Sequence, residues 1–271
     1  MTAIETVNTA VFVPTNSPAF EAATAFPNGR TEKFVDLNGS TQYYTFDAST
    51  WSLDSGGFHC WIKPDFTQAT AANQILCDTY GSVNQDGFST FMYFNSGLDD
   101  WVSSVYIDGA LQVAATTVGE TWSANQVIHV VVLWHNTAGL DSSKSIAVYI
   151  DGVLKATGTT QWSTTGDAMS TAAKVGTYWN AAAGTGAWDG GIFDLAYFNY
   201  ATLAASYTDL EIVAALYSNT YNLGAHKFTF ELSNFKVPSL NVIFIGLKIF
   251  FCSPKHFLPI IFISSIIFPL Y

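Results

Sequence analysis

Charged residues are scarce in this chain. Asp, Glu, Lys and Arg make up 11% of the 271 residues, and the usual share in a globular protein is roughly 25%. Ten basic residues against 21 acidic ones leave a formal net charge of −11. Because such a surface repels polyanions, the composition excludes a nucleic-acid partner. Few charges also exclude a coiled coil, and the 49% hydrophobic share excludes intrinsic disorder.

Cysteine is equally rare. Cys60, Cys77 and Cys252 are odd in number and lack the close spacing of a metal site, so we predict no disulfide framework. We also expect no secretory signal, since residues 1–20 have no basic start, no long apolar run and an acidic Glu5. We therefore expect that any role outside a cell requires another exit route, such as release within a virus particle.

The sparse charges are unevenly distributed, and this suggests a domain boundary. Residues 1–224 hold six of the ten basic and 20 of the 21 acidic residues, whereas residues 225–271 are rich in Phe and Ile. We interpret residues 1–33 as an N-terminal arm, 34–217 as a folded domain and 218–271 as a hydrophobic, weakly basic tail. Apolar runs in the tail are shorter than the ~20 residues that span a bilayer. A membrane anchor, an extra packed layer and a gene-model artefact all stay open.

What the chain does contain is a series of short segments with alternating polarity. Alternation predicts strands, and it places Phe58, Cys60 and Ile62 on one face of the first clear one. Residues 127–134 form a continuous apolar run rich in β-branched side chains, which is typical of a central strand covered on both faces. Such strands, separated by Gly, Asn and Asp, predict an all-β antiparallel sandwich.

Local turn and helix signals complete this prediction. Two Asp-Gly pairs, at residues 108–109 and 151–152, lie between alternating segments and favour tight hairpins, because both positions of a type I′ turn need positive φ. Near the end of the domain, Thr208 and Glu211 have the spacing of a capping box, and apolar residues then recur at helical intervals. We therefore expect a short C-terminal helix after the last strand.

Several of these segments follow one another in a distinctive order. They are residues 58–64, 129–132, 147–152, 175–176, 188–194 and 211–212. Together they resemble the LamG-like jelly roll, the laminin G-like domain of the concanavalin A-like lectin/glucanase superfamily. The resemblance covers residues 34–217 and implies a two-sheet antiparallel jelly-roll β-sandwich of the concanavalin A type.

The resemblance raises the question of catalysis, because the superfamily includes retaining glucanases. Retaining hydrolysis needs two carboxyl groups about 5–5.5 Å apart, which two glutamates on one strand face would supply. No two glutamates share a predicted strand here; they are Glu5, Glu21, Glu32, Glu120, Glu211 and Glu231. We therefore predict no catalytic residues and no enzyme.

Calcium is the cofactor that the resemblance implies. Relatives hold Ca²⁺ at the sandwich rim, and Asp78, Asp99, Asp100 and Asp189 lie beside turn residues where they could supply carboxylate ligands. The alternative is that these aspartates cap turns through their own side chains. Calcium binding is an expectation rather than a requirement of the pattern.

Aromatic residues carry the functional prediction. Several tryptophans lie in polar or Gly-rich surroundings, where an exposed ring could cover a sugar while Asn and Asp bind its hydroxyls. The best such group is Tyr178, Trp179, Asn180, Trp188 and Asp189. The alternative is that each tryptophan fills the core or anchors a loop.

The sequence thus favours a non-catalytic carbohydrate-binding or adhesion module, with a glycan or glycoprotein as its partner. The alternative is a structural protein of a virion surface that uses the sandwich for assembly. Either role places it at an extracellular or virion surface, and contact with a membrane is expected only if the tail is an anchor.

Overall fold

The strands form where polar and apolar side chains alternate. The computed structural model describes residues 12–66, 73–80, 86–95, 98–164, 169–178 and 186–218, with the side chains of 91–99 left aside. The strands are β1 Val13–Thr15, β2 Ala19–Phe20, β3 Thr24–Ala25, β4 Thr31–Glu32, β5 Val35–Asn38, β6 Tyr43–Phe46, β7 Ser55–Pro64, β8 Gln74–Asp78, β9 Gly87–Asn95, β10 Leu98–Ile107, β11 Ala110–Thr116, β12 Ile128–His135, β13 Ile146–Ile150, β14 Val153–Gly158, β15 Ala173–Val175 and β16 Asp189–Phe198. The helices of the described ranges are α1 Tyr200–Ala204 and α2 Asp209–Ser218.

Two large antiparallel sheets make up the fold. The first sheet has the strand order β1-β6-β15-β8-β9-β10-β11, and the second has the order β14-β13-β12-β7-β16-β5-β2. A separate pair, β3 and β4, forms a small hairpin. This architecture confirms the predicted all-β sandwich. Within the described ranges, no helix is both long and apolar enough to cross a membrane.

The Asp-Gly hairpins are formed as predicted. Asp108 and Gly109 connect β10 to β11 with φ angles of 51° and 75°, and Asp151 and Gly152 connect β13 to β14 with φ angles of 49° and 80°. Asp tolerates this left-handed conformation better than most residues, and Gly adopts it without a steric penalty. The two turns therefore set the register of the strand pairs on either side.

The core lies between the two sheets, and β12 is covered on both faces as predicted. Val130 and Val132 point into the main core together with Phe58, Cys60 and Ile62 of the neighbouring β7. The alternate side chains of β12 point outward into a second cluster beneath the helices. Its buried members are Val131, Leu133, Leu140, Ala147, Tyr149, Phe198, Tyr200, Leu203, Ile212, Val213 and Leu216.

The predicted C-terminal helix is α2, and its capping box is present. The backbone N–H of Thr208 donates to Glu211 Oε2 at 2.9 Å, and the backbone N–H of Glu211 donates to Thr208 Oγ1 at 3.3 Å. The shorter helix α1 was not predicted from the sequence. Its cap is Asn199, whose side chain accepts a hydrogen bond from the backbone of Thr202.

The described part of the N-terminal arm joins the sandwich. Strand β1 pairs with β6 at the edge of the first sheet, and β2 pairs with β5 at the edge of the second. The predicted tail, beyond Ser218, lies outside the described residues.

Candidate functional site

The outer face of the first sheet carries an aromatic cluster. Along β10, Trp101, Val105 and Ile107 point into the core, so that Ser104 and Tyr106 point to the opposite face. Ser104 is buried there. Burial raises the pKa of Tyr106, and the neighbouring Ser104 side chain opposes part of that rise. Strand β10 therefore presents a half-buried phenol ring on a rigid, polar surface.

Tyr80 and Asp78 lie beside this phenol. The Tyr80 and Tyr106 rings meet edge to face, with centroids 5.5 Å apart and ring planes at 81°. The backbone N–H of Tyr80 donates to Asp78 Oδ1 at 3.1 Å, which orients the carboxylate. Burial is the main cause that raises the pKa of Tyr106, and the nearby Asp78, Tyr178 and Tyr80 raise it further. Two perpendicular rings and a buried carboxylate thus share one surface.

Tyr178 completes the group, and a glycine brings the chain close to its ring. Gly186 has a φ of +64°, and a Cβ added there would lie 2.8 Å from the Tyr178 ring and 3.2 Å from Ile75 Cγ1. The carbonyl of Gly186 accepts a hydrogen bond from the backbone of Ile75 at 2.9 Å, which ties this segment to β8. We call Asp78, Tyr80, Ser104, Tyr106 and Tyr178 the tyrosine cluster.

The structure brings together part of the predicted site. Tyr178, predicted as a glycan contact, and Asp78, predicted as a calcium ligand, lie in the tyrosine cluster. Trp179 and Asn180 lie outside the described residues. The sequence analysis missed Tyr80, Ser104 and Tyr106. Tyr106 could have been found, because it has the outward phase of a strand whose inward residues are large and apolar.

Trp188 requires a correction. Its side chain is 0% exposed and belongs to the main core, where its ring packs edge to face against Phe66 at 5.7 Å. A fully buried indole has no free face on which a sugar could stack, so the predicted contact does not apply to this residue. The same burial is found for Trp101, Trp122 and Trp162, for which the core alternative holds.

The aspartates predicted to bind calcium occupy separate places. Asp100 is half-buried in strand β10, and its Oδ1 accepts from the backbone N–H of Gly119 at 3.3 Å, which ties β10 to the segment after β11. Asp189 begins β16 in the second sheet, and burial together with the nearby Asp65 raises its pKa. The side chain of Asp99 lies outside those described. Searched over its described ranges, the structure has no group of three or more His, Cys, Asp or Glu side chains placed to hold a metal. Calcium binding stays a prediction.

Comparison with known families agrees with this fold. A family model of the laminin G type, described as the concanavalin A-like lectin/glucanases superfamily, matches residues 38–206. The match covers more than half of the chain and confirms the resemblance inferred from the order of its segments. Among curated proteins there is no match.

Solved structures of similar fold come from different sources. Full-length tailspike protein 2 of the Escherichia coli O157:H7 bacteriophage CAB120 is 11% identical, with a TM-score of 0.53 over 80% of this chain and 28% of that chain. Botulinum neurotoxin type C, whose cell entry depends on two ganglioside molecules, is 13% identical, with a TM-score of 0.50 over 78% of this chain and 47% of that chain. Domain 4 of the Geobacillus stearothermophilus arabinanase AbnA, in complex with arabinotriose, is 17% identical, with a TM-score of 0.48 over 70% of this chain and 82% of that chain. At such identities the likeness shows the fold alone, and this chain spans less than half of the tailspike and neurotoxin chains.

Proposed function

Because the chain belongs to the concanavalin A-like lectin/glucanases superfamily, we propose that it is a non-catalytic glycan-binding module whose contact surface is the tyrosine cluster. The observation that carries this proposal is that three half-buried phenol rings, two of them edge to face, lie near one buried carboxylate on the outer face of the first sheet. Such a module binds glycans or glycoproteins at an extracellular or virion surface.

The chemistry of the cluster suits a sugar. The face of a phenol ring can cover the apolar C–H face of a pyranose, and the phenol hydroxyl can donate to or accept from sugar hydroxyls. Asp78, which is 2% exposed and is held by the backbone N–H of Tyr80, supplies a negative charge near Tyr106 rather than a direct sugar contact. Tyrosine loses little conformational entropy on binding because it has two side-chain torsions. The ganglioside interaction of the neurotoxin with the same fold supports the proposal.

The cluster also favours binding over catalysis. Among the described residues that form it, one carries a carboxylate, which is Asp78. Retaining and inverting glycoside hydrolysis each generally use a pair of carboxyl groups, one on either side of the scissile bond. A site with one carboxylate and three rings can hold a glycan and orient it, and we propose that this is its whole role.

The first test is a glycan array followed by calorimetric titration of the strongest hit. We expect Tyr106→Ala and Tyr178→Ala each to weaken binding by about tenfold or more, equivalent to ~1.4 kcal/mol. Phe20→Ala is the matched control, because this ring is 50% exposed but lies on β2 at the edge of the second sheet. A silent array would refute glycan binding, and an unchanged affinity in both tyrosine variants would refute this surface.

A pair of glycine variants sharpens the test without removing a ring. Gly186→Ala should weaken glycan binding, because the new Cβ would displace the Tyr178 ring. Gly29→Ala introduces the same kind of strain at a φ of +84° but meets no atom within 4 Å, so it should leave the affinity unchanged. Equal effects of both variants on affinity would contradict the proposed position of Tyr178 in the site.

A second candidate function, assembly through the sandwich, is favoured by one edge of the molecule. Strands β11 and β14 end their sheets and pack against each other, and they expose Leu111, Val153 and Leu154 by 54%, 56% and 37%. Edge strands with exposed apolar side chains pair readily with other chains. Light scattering after size-exclusion chromatography tests this role: we expect an oligomer that Leu154→Lys dissociates, and a monomeric protein would exclude it.

A further inference from the structure

The outer face of the second sheet holds a buried pair of histidines that the proposed glycan site does not use. His59 on β7 and His129 on β12 are 3% and 0% exposed. His129 Nε2 lies 3.4 Å from His59 Nδ1, and the ring centroids are 5.6 Å apart. This contact is a hydrogen bond only when one ring donates and the other accepts, so at least one of the two imidazoles must be neutral.

An arginine from the arm lies near enough to act on the charge of both histidines. The guanidinium of Arg30, beside the β3–β4 hairpin, lies 5.2 Å from the Phe26 and Phe193 rings and 5.7 Å from the Trp61 ring. It also forms an ion pair with Asp194 at 3.5 Å. We call Arg30, His59, Trp61, His129 and Asp194 the histidine pocket.

Helix α2 closes the same pocket. The Tyr217 ring lies 5.3 Å from Trp61 and 5.7 Å from His129. The carbonyl of Tyr217 accepts a hydrogen bond from Asn28 Nδ2 at 2.8 Å, which links the helix to the β3–β4 hairpin. The hairpin and the end of α2 therefore form one joint cover over the histidines.

Strand β16 is irregular where it borders this pocket. Its pairing with β7 shifts register between Phe193 and Ala196, and Asp194 has a φ of 52°. A bulge of this kind redirects a side chain out of the regular alternation. It places the carboxylate of Asp194 against Arg30.

The pocket suits neutral histidines and disfavours their protonated forms. Burial is the main cause that lowers the pKa of His59 to about 4. The negative charge of Asp194 opposes this lowering, and the positive charge of Arg30 adds to it. Burial, then His59 and Arg30, holds the pKa of His129 well below its usual value. Buried polar atoms of the pocket without a hydrogen-bond partner in the described structure are His129 Nδ1, Trp61 Nε1, and Nε and Nη2 of Arg30. A proton added to His129 Nδ1 would find no acceptor among the described residues.

Other charged groups near the pocket are already engaged. The carboxylate of Asp151 accepts a hydrogen bond from the backbone N–H of His129 at 2.8 Å. Lys63 is paired with Glu21 farther along the same face, where its ammonium lies 5.9 Å from the Phe34 ring. Neither contact involves a ring nitrogen of His59 or His129.

We propose that the histidine pocket is an acid-sensitive latch, which holds the β3–β4 hairpin and the end of α2 on the second sheet at neutral pH and releases them together in mild acid. Because the histidines bind protons more weakly in the closed state than in the open one, closure is fully stable above the ordinary histidine pKa of ~6.5. Its stability falls as the pH drops from there toward the closed-state pKa of about 4.

Hydrogen exchange of the full chain at pH 7.5 and 5.0, corrected for intrinsic rates, measures this release. From His59 alone, the closed-state pKa of about 4 implies that the opening equilibrium rises roughly 30-fold between these pH values. We expect this rise in peptides covering the hairpin and α2, while the central strands stay protected. No rise in these two segments, or an equal rise across both sheets, would overturn the proposal.

Two charge variants test the latch even if substitutions of the histidines themselves prevent folding. Arg30→Gln removes a positive neighbour, so His59 takes up a proton more readily in the closed state and the acid-induced rise should shrink. Asp194→Asn, which suits the positive φ, removes the opposing negative charge and should enlarge the rise. His135→Gln, at the other end of β12, is the matched control and should keep the wild-type ratio. Changes of the same sign in both charge variants, or loss of the ratio in the control, would refute the latch.

Discussion

Asp209 is a buried carboxylate placed where several hydrogen-bond donors meet. Its Oδ1 accepts from the Tyr200 hydroxyl at 2.5 Å, and its Oδ2 accepts from the Asp141 backbone at 3.1 Å and from the Tyr149 hydroxyl at 3.5 Å. Burial raises the pKa of Asp209, and the bond from Tyr200 lowers it. The side chain therefore joins α1, β13 and the start of α2 through polar contacts inside an apolar cluster.

Tyr200→Phe tests this role at the scale of one hydroxyl. Removing the donor leaves a buried carboxylate less satisfied, and we expect a loss of about 1–3 kcal/mol in the free energy of unfolding at neutral pH. Because the hydrogen bond favours the ionised form, the loss should be smaller in acid, where Asp209 is protonated. Urea titrations at both pH values measure this.

Tyr43→Phe is the control for that experiment. Its ring is half-exposed and packs against Lys174, and its hydroxyl has no hydrogen bond among the described contacts. We expect no measurable change in stability. A Tyr200→Phe loss that is equal at both pH values would contradict the link between this hydroxyl and the charge of Asp209.

At the scale of elements, the outer face of the second sheet depends on α2. This helix buries Ile212, Val213 and Leu216 against the outward side chains of β12 and its neighbours. It is only ten residues long, and isolated helices shorter than about 12–15 residues are marginal in water. Its stability must therefore come from its cap and from packing on the sheet.

Thr208→Ala measures the contribution of the cap. The Thr208 hydroxyl accepts from the backbone N–H of Glu211 and donates to its carboxylate. Loss of an N-cap of this kind typically costs about 1 kcal/mol, and we expect that decrease in the free energy of unfolding. Thr202→Ala, an exposed site in α1, should have little effect. Equal effects of the two substitutions in urea titrations would show that the cap is not the cause.

At the scale of the whole molecule, tryptophan is a core residue. Every tryptophan in the described part of the chain is buried, and the indoles of Trp101, Trp134 and Trp188 have almost no exposed surface. Large rings fill much volume between the sheets. The aromatic richness of the sequence therefore serves mainly to pack the sandwich, and the surface aromatics that remain are largely tyrosines.

The role of the tail can be tested at the same scale. All described strands and helices lie between residues 12 and 218. We therefore expect a chain shortened to end at residue 224 to keep the circular dichroism spectrum and melting temperature of the full chain. A marked fall in melting temperature would show that residues 225–271 pack on the sandwich, which is one of the interpretations open from the sequence.

Local features of this protein could be predicted from sequence because their causes lie within a few residues. Positive φ at Asp108 and Asp151 follows from the turn that each Asp-Gly pair forms, and the Thr208 cap follows from a spacing of three residues. The inward face of β7 likewise follows from strict alternation. The class of fold is the sum of such local signals, so the antiparallel sandwich could be predicted from the sequence alone.

The functional surfaces were decided only by the tertiary structure. Tyr80, Tyr106 and Tyr178 come from three separate stretches of the chain, and their meeting depends on how β8, β10 and β15 are ordered in one sheet. Trp188 and Tyr178 look alike as surface aromatics in sequence, yet one points into the core and the other does not. Strand register decides which sheet face a side chain occupies after a turn. It also decides the pairing of His59 with His129, which are 70 residues apart in the chain. Register is set by the packing of both sheets together, which no local pattern contains.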